Sequence, residues 1–312
     1  MKGSKATVLT LAEKCKNILA SNWQARLNTI KADAKGSKED LHTSKVKYIL
    51  KKGRPYIWIP EKDVHNVNTI IDERGSLAVA CPFPGPLANL LRSIKKLPER
   101  IALLGDVCPL KDGMAQLAMG SIKEVIQSEQ RAMNESTYTV SSVLNSSNLI
   151  TTSRSESLKE LLDGGGKYRV YRFNISILSR SCMFVDGYGR THEVESEDFE
   201  RSKVDPLASF SAKLIDGINR SEARRRALIL FCLIYLNANA RDAFMVSVDR
   251  KGFDVLGKVL SAVIKDGQGE YLWKEFRFTF KEEAPDVETF CHQLVQMEEE
   301  AVKKVSSYSG LT

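Results

Sequence analysis

Residues 46–60 read VKYILKKGRPYIWIP. Two runs rich in β-branched and aromatic residues, 46–50 and 56–60, flank a segment that contains Gly and Pro, which predicts two strands joined by a hairpin turn. Lys45 and Lys47 share one strand face. The hairpin is therefore expected to have one buried face and one face in water.

The hairpin is one of several strand segments in the first 200 residues. The first helix is predicted over 7–19, with Thr7 as its N-cap. The serine-rich residues 141–157 are expected to form a strand edge and a mobile loop. No GxGxxG or P-loop motif follows a strand, which disfavours Rossmann and Walker-type folds. Antiparallel strands with short crossover helices instead favour a β-barrel. The other predicted strands are 25–30, 76–81, 100–107, 168–177, 181–186 and 192–195, and the other helices are 64–71, 87–97, 114–133 and 157–162.

A second unit is expected after a boundary near residues 201–204. Asp205 and Pro206 predict a helix start, because Asp is a favoured N-cap and Pro suits the first helical position. Ser221 is expected to cap the next helix. The fold class is thus α+β, with a β-barrel and an N-terminal helix over 1–200 and a small α+β domain over 204–312. The later elements are a helix from 221 to 236, strands over 244–248, 253–256 and 276–280, and a final helix from 285.

Composition excludes several classes of protein. The 312 residues are 43% hydrophobic and 27% charged, so the chain can bury real cores. The longest apolar run, residues 227–236, is too short to span a bilayer, and no secretory signal is visible at the start. Six cysteines without a CxxC pair are expected to be reduced thiols. The net charge of +7 is uneven, with +9 over residues 1–60 and −4 over 281–312, which suggests polar partner surfaces.

Candidate catalytic and metal-binding groups are sparse. The four histidines, His42, His65, His192 and His292, are not clustered at ligand spacing, so no metal site is predicted. No G-x-S-x-G elbow supports a catalytic triad. Sequence motifs therefore identify no catalytic residue.

Arg224, Arg225 and Arg226 form the densest basic run of the C-terminal half. On a helix they point in three directions, so they either pair with acids at the helix surface or form a docking site for a phosphate, a propionate or an acidic protein patch. The lysines near residue 50 are only a weak indication of RNA binding. An RNA-binding surface would need aromatic side chains among the lysines, and Tyr48 faces away from Lys45 and Lys47. No direct contact with nucleic acid is expected.

Three segments carry a resemblance to a known family. Residues 65–79, residues 184–190 with their Gly-Tyr-Gly turn, and residues 205–254, especially VDRKGFD at 248–254, resemble the HugZ-like heme-utilisation proteins. The resemblance implies an FMN-binding-type split β-barrel followed by a small α+β domain. The positions of the chain that correspond to cofactor-binding positions of the family are Gly187, Gly189, Arg190 and His192.

One departure from the family bears on function. Bacterial heme-handling members carry histidine where this chain has GINRSEA, residues 217–223. The resemblance therefore implies that a bound heme iron would lack the family's histidine ligand from this segment. The resemblance then implies a non-enzymatic protein that requires no cofactor, with heme as a candidate regulatory ligand.

Within this family, residues 31–40, 221–232 and 290–295 resemble the glutamyl-tRNA reductase-binding proteins of plant chloroplasts. This implies a homodimeric regulator of 5-aminolevulinate synthesis, and hence of chlorophyll and heme, that binds glutamyl-tRNA reductase in the stroma or at thylakoid surfaces after removal of a transit peptide. Arg224, Arg225 and Arg226 are its candidate partner-binding residues. The alternative is a heme- or FMN-binding oxidoreductase of the HugZ heme-oxygenase type, with His192 or His65 as the substitute iron ligand.

Overall fold

A computed structural model describes residues 8–32, 40–81, 85–134, 140, 143, 154–163, 167–176, 181–265 and 268–309. The first unit begins with helix α1 (Leu11–Ser21) and contains eight described strands. They are β1 (Gln24–Ile30), β2 (Leu41–Lys51), β3 (Arg54–Pro60), β4 (Arg74–Ala80), β5 (Arg100–Pro109), β6 (Tyr168–Ile175), β7 (Cys182–Val185) and β8 (Thr191–Glu193). The accompanying helices are α2 (His65–Ile71), α3 (Gly85–Ser93), α4 (Asp112–Asn134), α5 (Arg154–Leu162) and α6 (Ser196–Arg201).

The first six strands close into a barrel. Every pairing is antiparallel, in the cyclic order β1-β2-β3-β6-β5-β4, and β4 returns to pair with β1. Strands β7 and β8 extend the sheet beyond β5. Where β4 and β5 meet, Gly75 lies opposite Gly105, and a Cβ on Gly105 would lie 2.0 Å from the carbonyl oxygen of Asn174. The predicted β-barrel is confirmed, and glycine at position 105 leaves room for the close approach of β6 to β5.

Two predicted boundaries in the barrel unit are wrong for local reasons. Helix α1 begins only at Leu11, because Thr10 Oγ1 accepts from the Glu13 backbone N–H at 3.2 Å and Glu13 Oε2 accepts from the Thr10 N–H at 2.8 Å. Strand β2 reaches back to Leu41, since its polar first half pairs along β1. Most of the serine-rich loop predicted over 141–157 lies outside the described residues.

The interior of the barrel is filled by alternate residues of its strands. Leu27, Tyr48, Leu103 and Phe173 are fully buried there. The Tyr48 hydroxyl donates to the carbonyl of Leu19 at 2.7 Å, which fixes α1 across the barrel. Helices α4 and α5 cover part of the outer face in a separate apolar cluster.

The second unit is a three-stranded antiparallel sheet packed against helices. It consists of α7 (Ser211–Arg220), α8 (Glu222–Leu236), β9 (Ala240–Asp249), β10 (Gly252–Lys265), β11 (Gln268–Thr279) and α9 (Val287–Ser309), with β10 central in the sheet. The rings of Phe253 and Phe278 stack at 5.2 Å in its core. Ser221 caps α8 as predicted.

The helix predicted at Asp205 and Pro206 does not begin there. Residues 206–210 form turns, and α7 starts at Ser211. The buried Asp205 carboxylate accepts from the backbone N–H of Leu207 and of Arg250, each at 3.0 Å. Asp205 therefore joins the turn to the second unit instead of capping a longer helix.

Helix α3 packs its Leu87 and Leu91 into the core of the second unit, although it lies within the predicted barrel range. The boundary near residues 201–204 stays a prediction. Among the helices in the described ranges, none has both the length and the apolar composition needed to cross a membrane.

Candidate functional site

A cleft of about 800 Å³ opens beside the β2–β3 turn, between α1, β6 and α6. We call it the basic cleft, because its lining has five cationic side chains and two acidic ones. The cations are Lys16, Lys52, Arg54, Arg172 and Lys203, and the acids are Glu197 and Glu200. Glu197 already pairs with Arg201 at 3.1 Å. The cleft thus presents an excess of positive charge to any ligand that enters it.

Lys16 is the most buried cation of the cleft. Its residue is only 4% exposed, and its Nζ lies 4.2 Å from the centroid of the Phe199 ring. Within the described residues no carboxylate lies within ion-pair distance of this ammonium. Burial lowers the pKa of Lys16, although the more distant Glu200 opposes that shift. The ammonium is held by a ring face and is available to an anion.

Two further features leave the cleft open to an anion. Arg172 Nε on β6 is buried without a hydrogen-bond partner among the described residues. Gly53 in the β2–β3 turn has φ +77°, and a Cβ there would lie 3.0 Å from Lys16 Nζ. Glycine therefore supplies both the left-handed turn and the room for the ammonium.

The Gly-Tyr-Gly turn, whose residues the family resemblance predicted as cofactor-binding, is closed on itself. Asp186 accepts from the backbone N–H groups of Tyr188 and Arg190 at 2.9 Å and from Arg190 Nε at 2.8 Å, and it lies 3.2 Å from His192 Nε2. Desolvation would raise the pKa of Asp186, but these donors outweigh it and hold that pKa well below its usual range. Gly189 supplies a left-handed φ of +82°. Gly187, Gly189, Arg190 and His192 do not line the basic cleft.

The arginine run pairs with acids within the second unit. Arg225 bonds Asp242 and lies with its guanidinium carbon 4.1 Å from the centroid of the Phe244 ring. The other two pairs are Arg224 Nη1 with Glu298 Oε1 at 3.9 Å and Arg226 Nη2 with Glu222 Oε1 at 2.5 Å. This is the first of the two arrangements open from the sequence, and the partner-binding role of the run stays a prediction.

A second polar cluster lies at the opposite end of β2, where α2 covers the barrel. His42, Asp63 and His65 bring one potential ligand atom each to within 4.8 Å of one another. Burial lowers the pKa of the enclosed His65 to about 4, against the opposing charge of Asp63. The sequence did not predict this cluster, because 21 positions separate His42 from Asp63 and only the β1–β2 register and the α2 turn bring them together.

Comparisons with known proteins establish the fold. No family model matches the sequence, and no curated protein matches it. A heme-binding protein from Mycobacterium smegmatis superposes with a TM-score of 0.55 at 17% identity, over 95% of this chain and 99% of that one. This chain is an α+β split-barrel protein.

Two other solved structures align with lower scores. ChuZ from Campylobacter jejuni has a TM-score of 0.38 at 11% identity, over 62% of this chain and 63% of that one. HutZ from Vibrio cholerae, described as a heme storage protein, has a TM-score of 0.36 at 10% identity, over 58% of this chain and 100% of that one. None of these structures supports the resemblance to the plant glutamyl-tRNA reductase-binding proteins.

The basic cleft has side chains that suit the propionates of heme but no histidine among its described lining residues that could bind its iron. Its lysines and arginines match the propionates, since ammonium and guanidinium groups bind carboxylates by charge-assisted hydrogen bonds. All four histidines are among the described residues, and none lines the cleft. Cys182 lines the cleft but is fully buried. Its side chain is hydrogen-bonded to Cys15, and this bond, together with desolvation, raises the pKa of the Cys15 thiol. The donor set thus suits the carboxylates of a porphyrin and offers its iron no histidine.

Proposed function

We propose that this protein binds heme in the basic cleft, holding it by the propionates rather than by histidine coordination of iron. The observation that carries the proposal is a pair of cations: Lys16 is buried with no carboxylate at ion-pair distance among the described residues, and the Nε of Arg172 is buried with no hydrogen-bond partner among them. A buried cation without an acid costs stability. An anionic ligand that neutralises both would offset that cost.

The volume of the cleft and the structural similarity to a heme-binding protein favour heme among anionic ligands. A cleft of about 800 Å³ lies in the range of about 300–1,000 Å³ that holds cofactor-sized molecules. The mycobacterial structure that shares the fold over nearly the whole chain is a heme-binding protein. The same cations would also attract the phosphate of FMN, the other cofactor of the alternative predicted from sequence, so the test must separate the two.

The mechanism assigned to the chain is binding without catalysis. Lys16 and Arg172 hold the carboxylates, Phe199 supports the ammonium of Lys16, and Lys52 and Arg54 add charge at the exposed rim. When bound, heme would supply a redox-active iron. No described side chain is assigned to proton transfer in the cleft.

Titrations with three ligands test this function. Hemin and metal-free protoporphyrin IX share propionates and differ in iron, so we expect their dissociation constants to agree within about threefold and FMN to bind at least tenfold more weakly. Lys16→Met and Arg172→Met should each weaken porphyrin binding about tenfold. Lys281→Met, at an exposed lysine of the second unit, is the matched control and should leave it unchanged.

Three outcomes contradict the proposal. One is FMN binding without porphyrin binding. Another is hemin binding that protoporphyrin IX does not reproduce and that His192→Ala or His65→Ala abolishes, which would favour the oxidoreductase with a histidine ligand. The third is porphyrin binding that is insensitive to Lys16 and Arg172.

The narrower function implied by the plant resemblance stays a prediction. It comprises binding of glutamyl-tRNA reductase, control of 5-aminolevulinate synthesis, homodimer formation and a place in the chloroplast stroma or at thylakoids. Co-elution with purified glutamyl-tRNA reductase at micromolar concentration tests the first of these. If the run at Arg224–Arg226 contributes, the affinity should fall as salt is raised.

A further inference from the structure

We propose that His42, Asp63 and His65 form a binding site for one zinc ion. The site lies where α2 covers the barrel, at the start of β2, whereas the basic cleft lies beside the turn that follows β2. Lys52, in the turn that follows β2, is ten positions after His42, which corresponds to about 33 Å of extended chain. The zinc site is therefore separate from the proposed heme site.

The ligand atoms are already close to the spacing that zinc requires. Zinc binds imidazole nitrogen and carboxylate oxygen at about 2.0–2.2 Å, so two ligands of a tetrahedral ion are roughly 3.4 Å apart. His42 Nε2 lies 3.2 Å from Asp63 Oδ1, and all three ligand atoms lie within 4.8 Å of one another. A side-chain adjustment of about an ångström would bring the third ligand to that spacing.

The fold presents these residues through two neighbouring elements. His42 lies opposite Thr29 in the β1–β2 register. Asp63 lies in the turn before α2, and its Oδ1 accepts from the backbone N–H of His65 at 2.9 Å. That bond ties the carboxylate to the first residue of the helix. The carboxylate and both imidazoles therefore meet at one end of the barrel.

The remaining nitrogen of His65 has a fixed partner. Thr29 Oγ1 lies 2.7 Å from His65 Nδ1, and Asn68 Nδ2 donates to the same oxygen at 2.8 Å. The Asn68 amide is oriented by the backbone N–H of Ala32, which donates to its Oδ1 at 2.9 Å. In the metal-free protein Nε2–H donates to Ser44; a metal would select the other tautomer, in which Nδ1–H donates to Thr29 and Nε2 carries the lone pair that binds the ion.

Ser44 occupies the gap between the ligands. Its Oγ lies 3.1 Å from His65 Nε2 and donates to Asp63 Oδ2 at 3.2 Å. In the metal-bound protein this hydroxyl would either ligate the ion or hold a bound water. Two imidazoles and one carboxylate with an open fourth position form a donor set that zinc accepts in proteins, while magnesium and calcium prefer oxygen alone.

An ion can reach the site from solvent. The His42 and Asp63 side chains are 27% and 17% exposed, whereas His65 is fully buried behind them. The ion would thus approach from the side of His42 and Asp63. This arrangement also provides a variant, His42→Ala, that removes a ligand without opening the core.

Metal binding to the full chain tests the site. After treatment with a chelator, the protein should take up one equivalent of Zn²⁺ in competition with a chromophoric chelator, and Co²⁺ should give the visible bands of a four-coordinate ion. His42→Ala and Asp63→Asn should each weaken Zn²⁺ binding at least tenfold. His292→Ala is the matched control, because that exposed histidine also faces a carboxylate, Glu288, at 3.8 Å.

The circular dichroism spectrum establishes that each variant is folded, and His42→Ala decides the matter if Asp63→Asn does not fold. Absence of stoichiometric Zn²⁺ binding overturns the proposal. So does binding that His42→Ala leaves intact or that His292→Ala weakens equally. Porphyrin titration of His42→Ala should match the wild type, so the zinc site can fail without the heme site failing.

Discussion

Arg250 Nη2 lies 2.6 Å from Glu13 Oε1 and joins two residues 237 positions apart in the chain. The same guanidinium reaches Asp205 Oδ2 through Nη1 and Glu283 Oε2 through Nε, each at 3.2 Å. The Asp205 side chain is only 1% exposed. Arg250 therefore neutralises a buried carboxylate while it connects α1 of the barrel unit to the β9–β10 turn of the second unit.

Replacement of this guanidinium should be costly. Arg250→Met leaves the Asp205 carboxylate buried without its cation, so we expect the free energy of unfolding to fall by about 3 kcal/mol. Arg201→Met is the control, because Arg201 and Glu197 are 76% and 80% exposed, and such a pair is worth about 0.5 kcal/mol or less. Urea denaturation measures both. Equal losses in the two variants would show that Arg250 does not connect the units.

Lys16 should lower the stability of the ligand-free protein. Its lowered pKa means that the unfolded chain holds a proton that the folded chain releases, at any pH between the folded pKa and the ordinary value near 10.5. The free energy of unfolding therefore rises with pH across that window, and the full cost of the buried charge is present below it. We expect Lys16→Met to raise the free energy of unfolding by about 1–2 kcal/mol at pH 7 and to remove the alkaline rise. Denaturation at a series of pH values measures this, and a destabilised variant would contradict it.

The same lysine should make porphyrin binding depend on pH. The propionates stay ionised above neutrality, so affinity follows the charge on Lys16 and falls as pH rises through its lowered pKa. Lys16→Met should bind more weakly at pH 7 and show a smaller alkaline fall. Fluorescence titration with protoporphyrin IX from pH 7 to pH 10 compares the two proteins. Parallel pH profiles would mean that Lys16 does not contact the propionates.

The barrel could be predicted because its strands alternate visibly, as in the hairpin, where Tyr48 and its neighbour Ile57 share the face that fills the barrel. The prediction that the other face lies in water is wrong, because Trp58, opposite Lys47, is only 1% exposed beneath α4 and α5. The early start of β2 could not be predicted, because His42 and Ser44 are polar and owe their inward position to α2. The late start of α7 also escaped prediction, since Asp205 uses its carboxylate for a tertiary contact with Arg250. Local propensity yields to tertiary partners in both places.

The candidate sites were harder to predict than the fold. Lys16 follows Cys15 on α1, and nothing in the local sequence marks it as buried; its ammonium packs on the ring of Phe199, 183 positions later. Arg172 alternates with the buried Tyr171 and Phe173, a pattern typical of any exposed strand face. The basic groups of the predicted motifs, the Gly-Tyr-Gly turn and the arginine run, pair with nearby acids. Only the folded structure shows which charged side chains are neutralised by a neighbouring group.

The close packing of β5 against β6 predicts that Gly105 cannot be replaced by a larger residue without cost. A Cβ at position 105 would lie 2.0 Å from the carbonyl oxygen of Asn174, so Gly105→Ala must push β5 away from β6 and should cost about 3 kcal/mol or more. Gly120→Ala on α4 is the control, because nothing lies within 4 Å of a Cβ there, and it should stabilise by about 0.5–1 kcal/mol. Thermal unfolding of both variants measures the contrast. A neutral Gly105→Ala would show that the strands do not approach so closely.

The hydrogen-bond chain behind His65 can be tested through Asn68, which touches none of the proposed zinc ligands directly. Asn68→Ala removes the buried amide donor to Thr29 Oγ1, which keeps only its contact with His65, and it leaves the backbone N–H of Ala32 without its acceptor, so we expect a loss of about 2 kcal/mol in the free energy of unfolding. Asn28→Ala is the matched control on β1. It also removes two hydrogen bonds, to Ser76 and Thr43, but water can replace them, so the loss should stay below about 1 kcal/mol. If the two losses are equal in urea denaturation, the network beneath α2 is open to solvent and cannot orient His65.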